Sequence, residues 1–199
     1  MAIMRVAKKQ TNGRGIDFTT DVVPEPAPDE VLIRVNVAGI CGTDLHIYKW
    51  DSWAENRILP PLIIGHEFIG TICDIGSGVK HLHVGQRVSA EGHITCGHCR
   101  YCRNGQGHIC REVEIIGIDR DGCFADYVCV PVHNVWAVHP DISDFYGALF
   151  DPIGNAMHTV MSQQICMKNV LITGAGSIGL FSIPIAKENG AEKVIVIEP

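Results

Sequence analysis

The sequence predicts a mixed α/β chain: a β-rich first part that forms a compact barrel or sandwich, a helical stretch, and then one strand-helix-strand unit. Three observations carry that reading. Residues 31–37 alternate apolar and polar (Val31, Ile33, Val35, Val37 against Leu32, Arg34, Asn36, with Leu32 the apolar exception), the pattern of a half-buried strand. After His139-Pro140-Asp141 the apolar spacing lengthens to that of a helix. From Asn169 a buried strand, a glycine-rich turn, a helix and a second strand follow one another.

In chain order, the Pro-rich patch at 24–28 reads as a loop before the first long strand. Further short strands are predicted at 68–75, 86–90, 124–130 and 134–138, separated by turns such as Ile75-Gly76-Ser77-Gly78 and Asp121-Gly122. Many short strands at irregular spacing suit a barrel or sandwich. Between 143 and 164, Phe145, Leu149, Ile153, Met157, Val160 and Met161 recur at helical spacing, with Pro152 and Gly154 expected to break the stretch into two helices. Val170-Leu171-Ile172-Thr173 then reads as a buried strand, 177–189 as a helix and 193–197 as a second strand. A parallel sheet of two strands is too small to bury both faces, so the sequence reads as a piece of a longer chain.

Composition narrows the function classes. With 46% hydrophobic and 19% charged residues, the 199-residue chain has the profile of a globular protein with a sizeable core. A formal net charge of -6 and the absence of a Lys/Arg run leave out the footprint of a nucleic-acid binder and favour a small-molecule partner. No apolar run reaches the ~18 to 20 residues that span a bilayer, so no membrane partner is expected. The first ten residues do not read as a secretory signal, and nine cysteines then point to metal ligation or buried thiols in a reducing, cytoplasmic setting.

The most specific local motif is Cys96-Gly97-His98-Cys99-Arg100-Tyr101-Cys102 with Cys110 a short loop later. Four thiolates on one loop can close a tetrahedral sphere at ~2.3 Å with no open position, the chemistry of a structural zinc site. A pair of disulfides, an iron-sulfur cluster or unrelated thiols are the other readings. A dispersed set follows: Cys41 in Gly39-Ile40-Cys41-Gly42-Thr43-Asp44, the pair His66-Glu67 after Gly65, and Asp151 in Phe150-Asp151-Pro152. Thiolate, imidazole and carboxylate together suit a metal that keeps a position open, whereas singly His66 reads as a core histidine and Glu67 as a surface or capping carboxylate. If a helical turn follows Cys41, Thr43 and His46 share one face, where hydroxyl and imidazole can pass a proton; Thr43 as a simple cap is the alternative. Cys73, Cys123, Cys129 and Cys166 read as small buried hydrophobes.

Gly174-Ala175-Gly176-Ser177-Ile178-Gly179 lies between a predicted strand and a predicted helix, where glycines let backbone N-H groups approach a pyrophosphate. Glu198 ends the next strand about 20 residues on, as recognition of a ribose 2'-hydroxyl requires, and its carboxylate favours NAD over NADP.

These motifs, in this order, resemble the zinc-containing medium-chain dehydrogenase family over the whole chain from the first strand. The resemblance implies a GroES-like β-barrel catalytic domain at 1–155 and the first β-α-β unit of a Rossmann NAD-binding domain at 156–199. It implies that Cys41, His66, Glu67 and Asp151 form the catalytic zinc sphere, though not all four need bind at once. By the same resemblance Cys96, Cys99, Cys102 and Cys110 hold structural zinc, Thr43 and His46 form a proton relay, and Gly174, Gly176, Ile178, Gly179 and Glu198 meet NAD.

Within the family, three segments resemble members that oxidise L-threonine: Cys41 to Asp51, Glu91-Gly92-His93-Ile94-Thr95-Cys96-Gly97-His98-Cys99, and Phe150-Asp151-Pro152-Ile153-Gly154-Asn155-Ala156. The zinc motifs alone fit polyol or alcohol dehydrogenases equally well. His93, expected at the end of a barrel strand, either lines the substrate pocket or is a solvated loop histidine. The implied activity belongs to a longer, homo-oligomeric parent, and the 199-residue chain is expected to lack turnover. A zinc-stabilised barrel module without catalysis is the competing reading. A nucleic-acid zinc ribbon is the third, and the acidic balance and glycine motif count against it.

Overall fold

A computed structural model describes residues 1–198. The chain divides into two compact units, Met1–Ala148 and the residues from Leu149 onward. The sequence reading puts the division at 155/156.

In the first unit, β1 (Ile3–Lys9) pairs antiparallel with β2 (Asp17–Val22), and the Pro-containing loop leads to β3 (Glu30–Gly39). Helices α1 (Gly42–Lys49) and α2 (Ser52–Arg57) follow, then β4 (Leu62–Ile63), β5 (Glu67–Ile75), β6 (Arg87–Ala90) and β7 (His93–Ile94). After α3 (Arg100–Arg103) come β8 (Glu114–Ile115), β9 (Tyr127–Pro131), β10 (Val135–Ala137) and α4 (Asp144–Gly147). The main sheet runs β10-β6-β5-β3-β9, a second runs β2-β1-β4, and β7 pairs with β8 alone. A bridge between Val6 and Ala125, just ahead of β9, links the two larger sheets into a curled half-barrel.

The alternation in β3 explains its burial. Val31 and Ile33 are fully buried beside Phe68, Ile72, Val88, Val128 and Val130, which form the core of the main sheet. Burying such side chains contributes roughly 1.5–3 kcal/mol each. Two bulges interrupt the β3-β5 ladder: Leu32 faces Asp74 while Ile33 faces Ile72, and Val35 faces Gly70 while Val37 faces Ile69. Cys73 and Asn36 are therefore the extra residues. A bulged residue leaves the regular pleat, and this is why Cys73 is exposed and not a buried hydrophobe. Cys166 is exposed as well, in the turn before the next strand; Cys123 is buried and Cys129 half-buried.

The second unit holds α5 (Phe150–Met161), β11 (Asn169–Thr173), α6 (Ser177–Glu188) and β12 (Lys193–Ile197). β11 and β12 pair in parallel from Asn169↔Lys193 to Thr173↔Ile197, and α5 packs on α6. The expected helix break at Pro152 and Gly154 is not there: the chain interrupts at Ala148-Leu149, and α5 runs through both residues. Pro152 is third in α5, within the first turn, where a backbone N-H has no intrahelical acceptor to lose.

The N-terminal hairpin β1-β2 has no counterpart in the sequence reading. Lys8 and Lys9 mask its pattern: Lys9 is only 2% exposed, its ammonium bonded to the carbonyls of Gly13 and Gly15 and lying 4.7 Å from the Trp50 ring centroid. No helix among the described residues is long and apolar enough to cross a membrane.

Candidate functional site

The β7-β8 hairpin frames a loop that carries all four cysteines of the compact motif. Their sulfurs lie 3.5 Å (Cys96–Cys110), 3.6 Å (Cys99–Cys102), 3.9 Å (Cys99–Cys110) and 4.0 Å (Cys96–Cys102) apart. A tetrahedron of thiolates at ~2.3 Å from a central zinc has edges of about 3.8 Å, whereas a disulfide needs about 2.05 Å. All four cysteines are free, so the spacing fits zinc and rules out the disulfide reading.

The backbone supports the charge such a site carries. The Cys96 and Glu112 N-H groups donate to Cys110 Sγ at 3.4 Å, and the Cys99 N-H donates to Cys96 Sγ at 3.3 Å. The N-H groups of Cys102 and Arg111 hold the Cys99 thiol down at about 6, while burial and the adjacent thiols push Cys102 up to about 12. Four thiols this close do not all ionise without a cation between them.

The dispersed set is assembled by sheet register. β3 and β5 run antiparallel with Gly39 opposite Glu67, so the residues leaving β3 meet those entering β5. One donor atom each from Cys41, His66 and Glu67 lies within 4.8 Å of the others. His66 and Glu67 are 7% and 5% exposed, an arrangement of sulfur, nitrogen and oxygen donors that suits a buried zinc. Gly65 makes the approach possible: its φ is +91°, and a Cβ there would overlap the Phe124 ring. Asp151 belongs to the other unit, in the first turn of α5, where Asn155 Nδ2 donates to its carboxylate at 3.2 Å. The three donors of the first unit gather without it.

Asp44, which the sequence reading left without a role, is 3% exposed, and its carboxylate accepts the Cys41 N-H at 2.8 Å. Burial pushes this carboxyl above its usual range, and the N-H groups of Cys41 and Gly65, with His66 nearby, draw it back. It therefore ties the Cys41 loop to the Gly65-His66 loop. The only sequence signal was an acid three residues into a helix, the ordinary position of a capping box.

Helix α1 does follow Cys41 and carries Thr43 and His46, with Cys41 Sγ 3.7 Å from Thr43 Oγ1. The helix ends at Trp50, whose left-handed backbone (φ 56°) turns the chain so that the Asp51 carboxylate meets His46 Nδ1. Asp51 also caps α2 through the Ala54 N-H at 3.1 Å. That hydrogen bond with His46 holds Asp51 below the usual carboxylate range. His93 opens β7 and so lies in the hairpin under the cysteine loop, not at the end of a barrel strand. Its Nδ1 is 2.7 Å from Glu91 Oε1, and Asn134 Nδ2 donates to the backbone carbonyls of both residues at 2.8 and 3.0 Å. A mostly apolar cavity of ≈ 880 Å³ is lined by Phe18, Ile40, Asp44, Leu45, Tyr48 and Phe124. None of Cys41, His66 or Glu67 lines it.

In the second unit the glycine turn opens on a cavity of ≈ 630 Å³ lined by Gly174, Gly176, Ser177, Ile178 and Gly179. A Cβ on Gly179 would overlap the Gly174 carbonyl, so α6 packs on the turn only because that position is glycine. Gly176 caps α6 without a side-chain hydrogen bond, and Glu198 accepts the Ala175 N-H at the same turn. A glycine cradle at a helix N-terminus is the kind of turn that fits the diphosphate of a dinucleotide.

A model of the alcohol dehydrogenase GroES-like domain matches residues 27–140. The chain is 51% identical over 196 residues to an L-threonine 3-dehydrogenase of Rhizobium etli, covering 98% of this chain and 57% of that protein. It is 45% identical over 195 residues to an L-threonine 3-dehydrogenase of Deinococcus radiodurans, covering 98% and 56%. Among solved structures, one named as a zinc-binding dehydrogenase from Sinorhizobium meliloti 1021, bound to NADP, superposes with a TM-score of 0.90 at 34% identity. It covers 98% of this chain and 56% of that one. Galactitol-1-phosphate dehydrogenase from Escherichia coli gives 0.86 at 34% identity, covering 96% and 55%. The chain thus spans a little over half the length of the relatives it matches.

Proposed function

This chain belongs to the alcohol dehydrogenase GroES-like domain family, and from that premise we propose that the protein oxidises the 3-hydroxyl of L-threonine to 2-amino-3-oxobutanoate with NAD. The observation that carries the proposal is the gathering of Cys41, His66 and Glu67 at the start of a helix that bears Thr43 and His46. Identity of 45–51% to L-threonine 3-dehydrogenases over 98% of the chain supports the substrate.

Cys41, His66 and Glu67, with Asp151 as a further candidate, would hold the catalytic zinc, and the four-cysteine loop a structural one. When bound, zinc supplies a Lewis acid for a substrate hydroxyl and NAD supplies a hydride acceptor. The chain's own residues orient the donors and move the proton. Asp44 fixes Cys41 through its N-H. Thr43 would take the proton that leaves the substrate hydroxyl as it passes its own hydroxyl proton on toward His46, one turn away, and His46, more than half exposed, would release a proton to water while Asp51 steadies its Nδ1. His93, held by Glu91, is assigned to the substrate pocket. Gly174, Gly176, Ile178, Gly179 and Glu198 are assigned to NAD.

Turnover is proposed for a chain that carries the remainder of the relatives' length, most naturally as a homo-oligomer. The 199 residues alone leave a two-stranded parallel sheet with Leu171, Ile195 and Ile197 exposed, and are proposed not to turn over. The test is threonine-dependent NADH formation by the 199-residue chain and by a chain extended to the relatives' length, each with and without Cys41→Ser. Activity in the extended chain alone, lost with Cys41→Ser while the cysteine-loop zinc stays, is the expected result. Turnover of galactitol 1-phosphate or another polyol without turnover of threonine would retain the zinc chemistry and overturn the substrate.

A further inference from the structure

Outside the four-cysteine set stands a second donor group that shares one of its members. Cys96, His98 and Glu112 each place one ligand atom within 4.8 Å of the other two. His98 Nε2 lies 3.6 Å from Glu112 Oε2, and these side chains are 65% and 64% exposed. A contact so exposed contributes little to stability, so stability does not account for bringing together residues on opposite ends of the cysteine loop.

We propose that Cys96, His98 and Glu112 form an outer capture site through which zinc enters and leaves the four-cysteine site. The proposal rests on reading those four cysteines as a zinc site. The outer group offers one sulfur, one imidazole and one carboxylate, a weaker set for zinc than four thiolates, and it faces solvent. The inner group closes around Cys110, which is buried. Cys96 belongs to both: its sulfur is 3.5 Å from Cys110 and 4.0 Å from Cys102. A hydrated cation held by His98 and Glu112 keeps Cys96 as a ligand while it exchanges the outer donors and its waters for Cys99, Cys102 and Cys110. The two groups are also mechanically linked, because the Glu112 N-H donates to Cys110 Sγ at 3.4 Å.

A capture site lowers one barrier crossed in both directions. It therefore speeds loading and release alike and leaves the equilibrium affinity unchanged. That separates it from a supporting contact, whose loss weakens the affinity by speeding release alone.

The experiment loads the intact protein with cobalt(II), whose tetrathiolate visible bands report the four-cysteine site and are distinct from those of a one-thiolate site. Zinc is then added and decay of the bands is followed in the parent protein, the His98→Ala/Glu112→Gln variant, and His98→Asp as a rescue. Exchange about tenfold slower in the double variant, with unchanged affinity and metal content and substantial recovery in His98→Asp, is the expected result. An unchanged rate would leave His98 and Glu112 as a surface contact and overturn the proposal. Faster exchange with weaker affinity would make them supports of the thiolates and overturn it too. Absence of tetrathiolate bands in the parent protein would remove the zinc reading of the four cysteines, and the capture site with it.

Discussion

Asp51 meets His46 Nδ1 with one carboxylate oxygen and caps α2 with the other, accepting the Ala54 N-H at 3.1 Å. His46, the proposed relay histidine, is thereby held by the start of the next helix, and the left-handed turn at Trp50 makes the meeting possible. The contact to His46 and the cap of α2 thus share one residue.

Substitution can separate the two duties. Asp51→Asn keeps an oxygen for the cap and removes the charge facing His46. In the full-length enzyme it is expected to lower kcat by about tenfold or more with little change in Tm. Asp51→Ala should add a loss of about 1 kcal/mol for the missing cap, read as a lower Tm. Equal kcat in Asp51→Asn and the parent enzyme would remove His46 from the relay.

Removal of metal should act on the two clusters differently. Cys110→Ser is expected to cost one zinc per chain by elemental analysis and to loosen the loop between β7 and β8, which has little apolar content of its own. Faster proteolysis within 95–113, and not elsewhere, is the accompanying readout. Unchanged zinc content would contradict the four-sulfur geometry.

Gly65→Ala tests the approach to His66. The new Cβ must displace the Phe124 ring and adopt a φ of +91°, so a destabilisation of more than about 2 kcal/mol is expected in urea unfolding, with loss of zinc from the Cys41 site. A stable variant with full zinc content would show that the turn has room it does not show here.

The N-terminal hairpin supplies a pH dependence. Side-chain and backbone hydrogen bonds from Arg5, the latter from its N-H at 2.8 Å, hold Asp126 below the usual carboxylate range. The folded pKa thus lies under the unfolded value of about 3.9, and between the two the unfolded chain binds more protons. This contribution is fully present above about pH 4 and is lost as pH falls through the lowered folded value. Urea unfolding below about pH 5 should show stability falling with acidity, with a shallower slope in Asp126→Asn.

How much of this the sequence could reveal depended on distance along the chain. The four cysteines were legible because all lie between residues 96 and 110, where spacing alone constrains geometry. Cys41 and His66 are far apart in sequence and meet only through the β3-β5 register, so resemblance to a family, and not local pattern, brought them together. The glycine turn was legible from its place between strand and helix. Asp44, Asp51 and Glu91 were not, because a short polar residue near a helix or strand end has many ordinary uses. The β1-β2 hairpin was hidden by Lys9, a charge satisfied by two carbonyls and an indole face that no pattern discloses. Pro152 misled because a proline breaks a helix in its interior but not in its first turn.

Cys41, His66 and Glu67, gathered where β3 ends and β5 begins, are proposed to support oxidation of L-threonine. The most direct measurement is kcat/KM with NAD for L-threonine against a polyol, in the full-length protein and in its His66→Ala variant. The expected result is a clear preference for L-threonine in the parent protein and loss of threonine oxidation in His66→Ala while the cysteine-loop zinc remains. Undiminished threonine oxidation in His66→Ala, or a preference for the polyol, would contradict it.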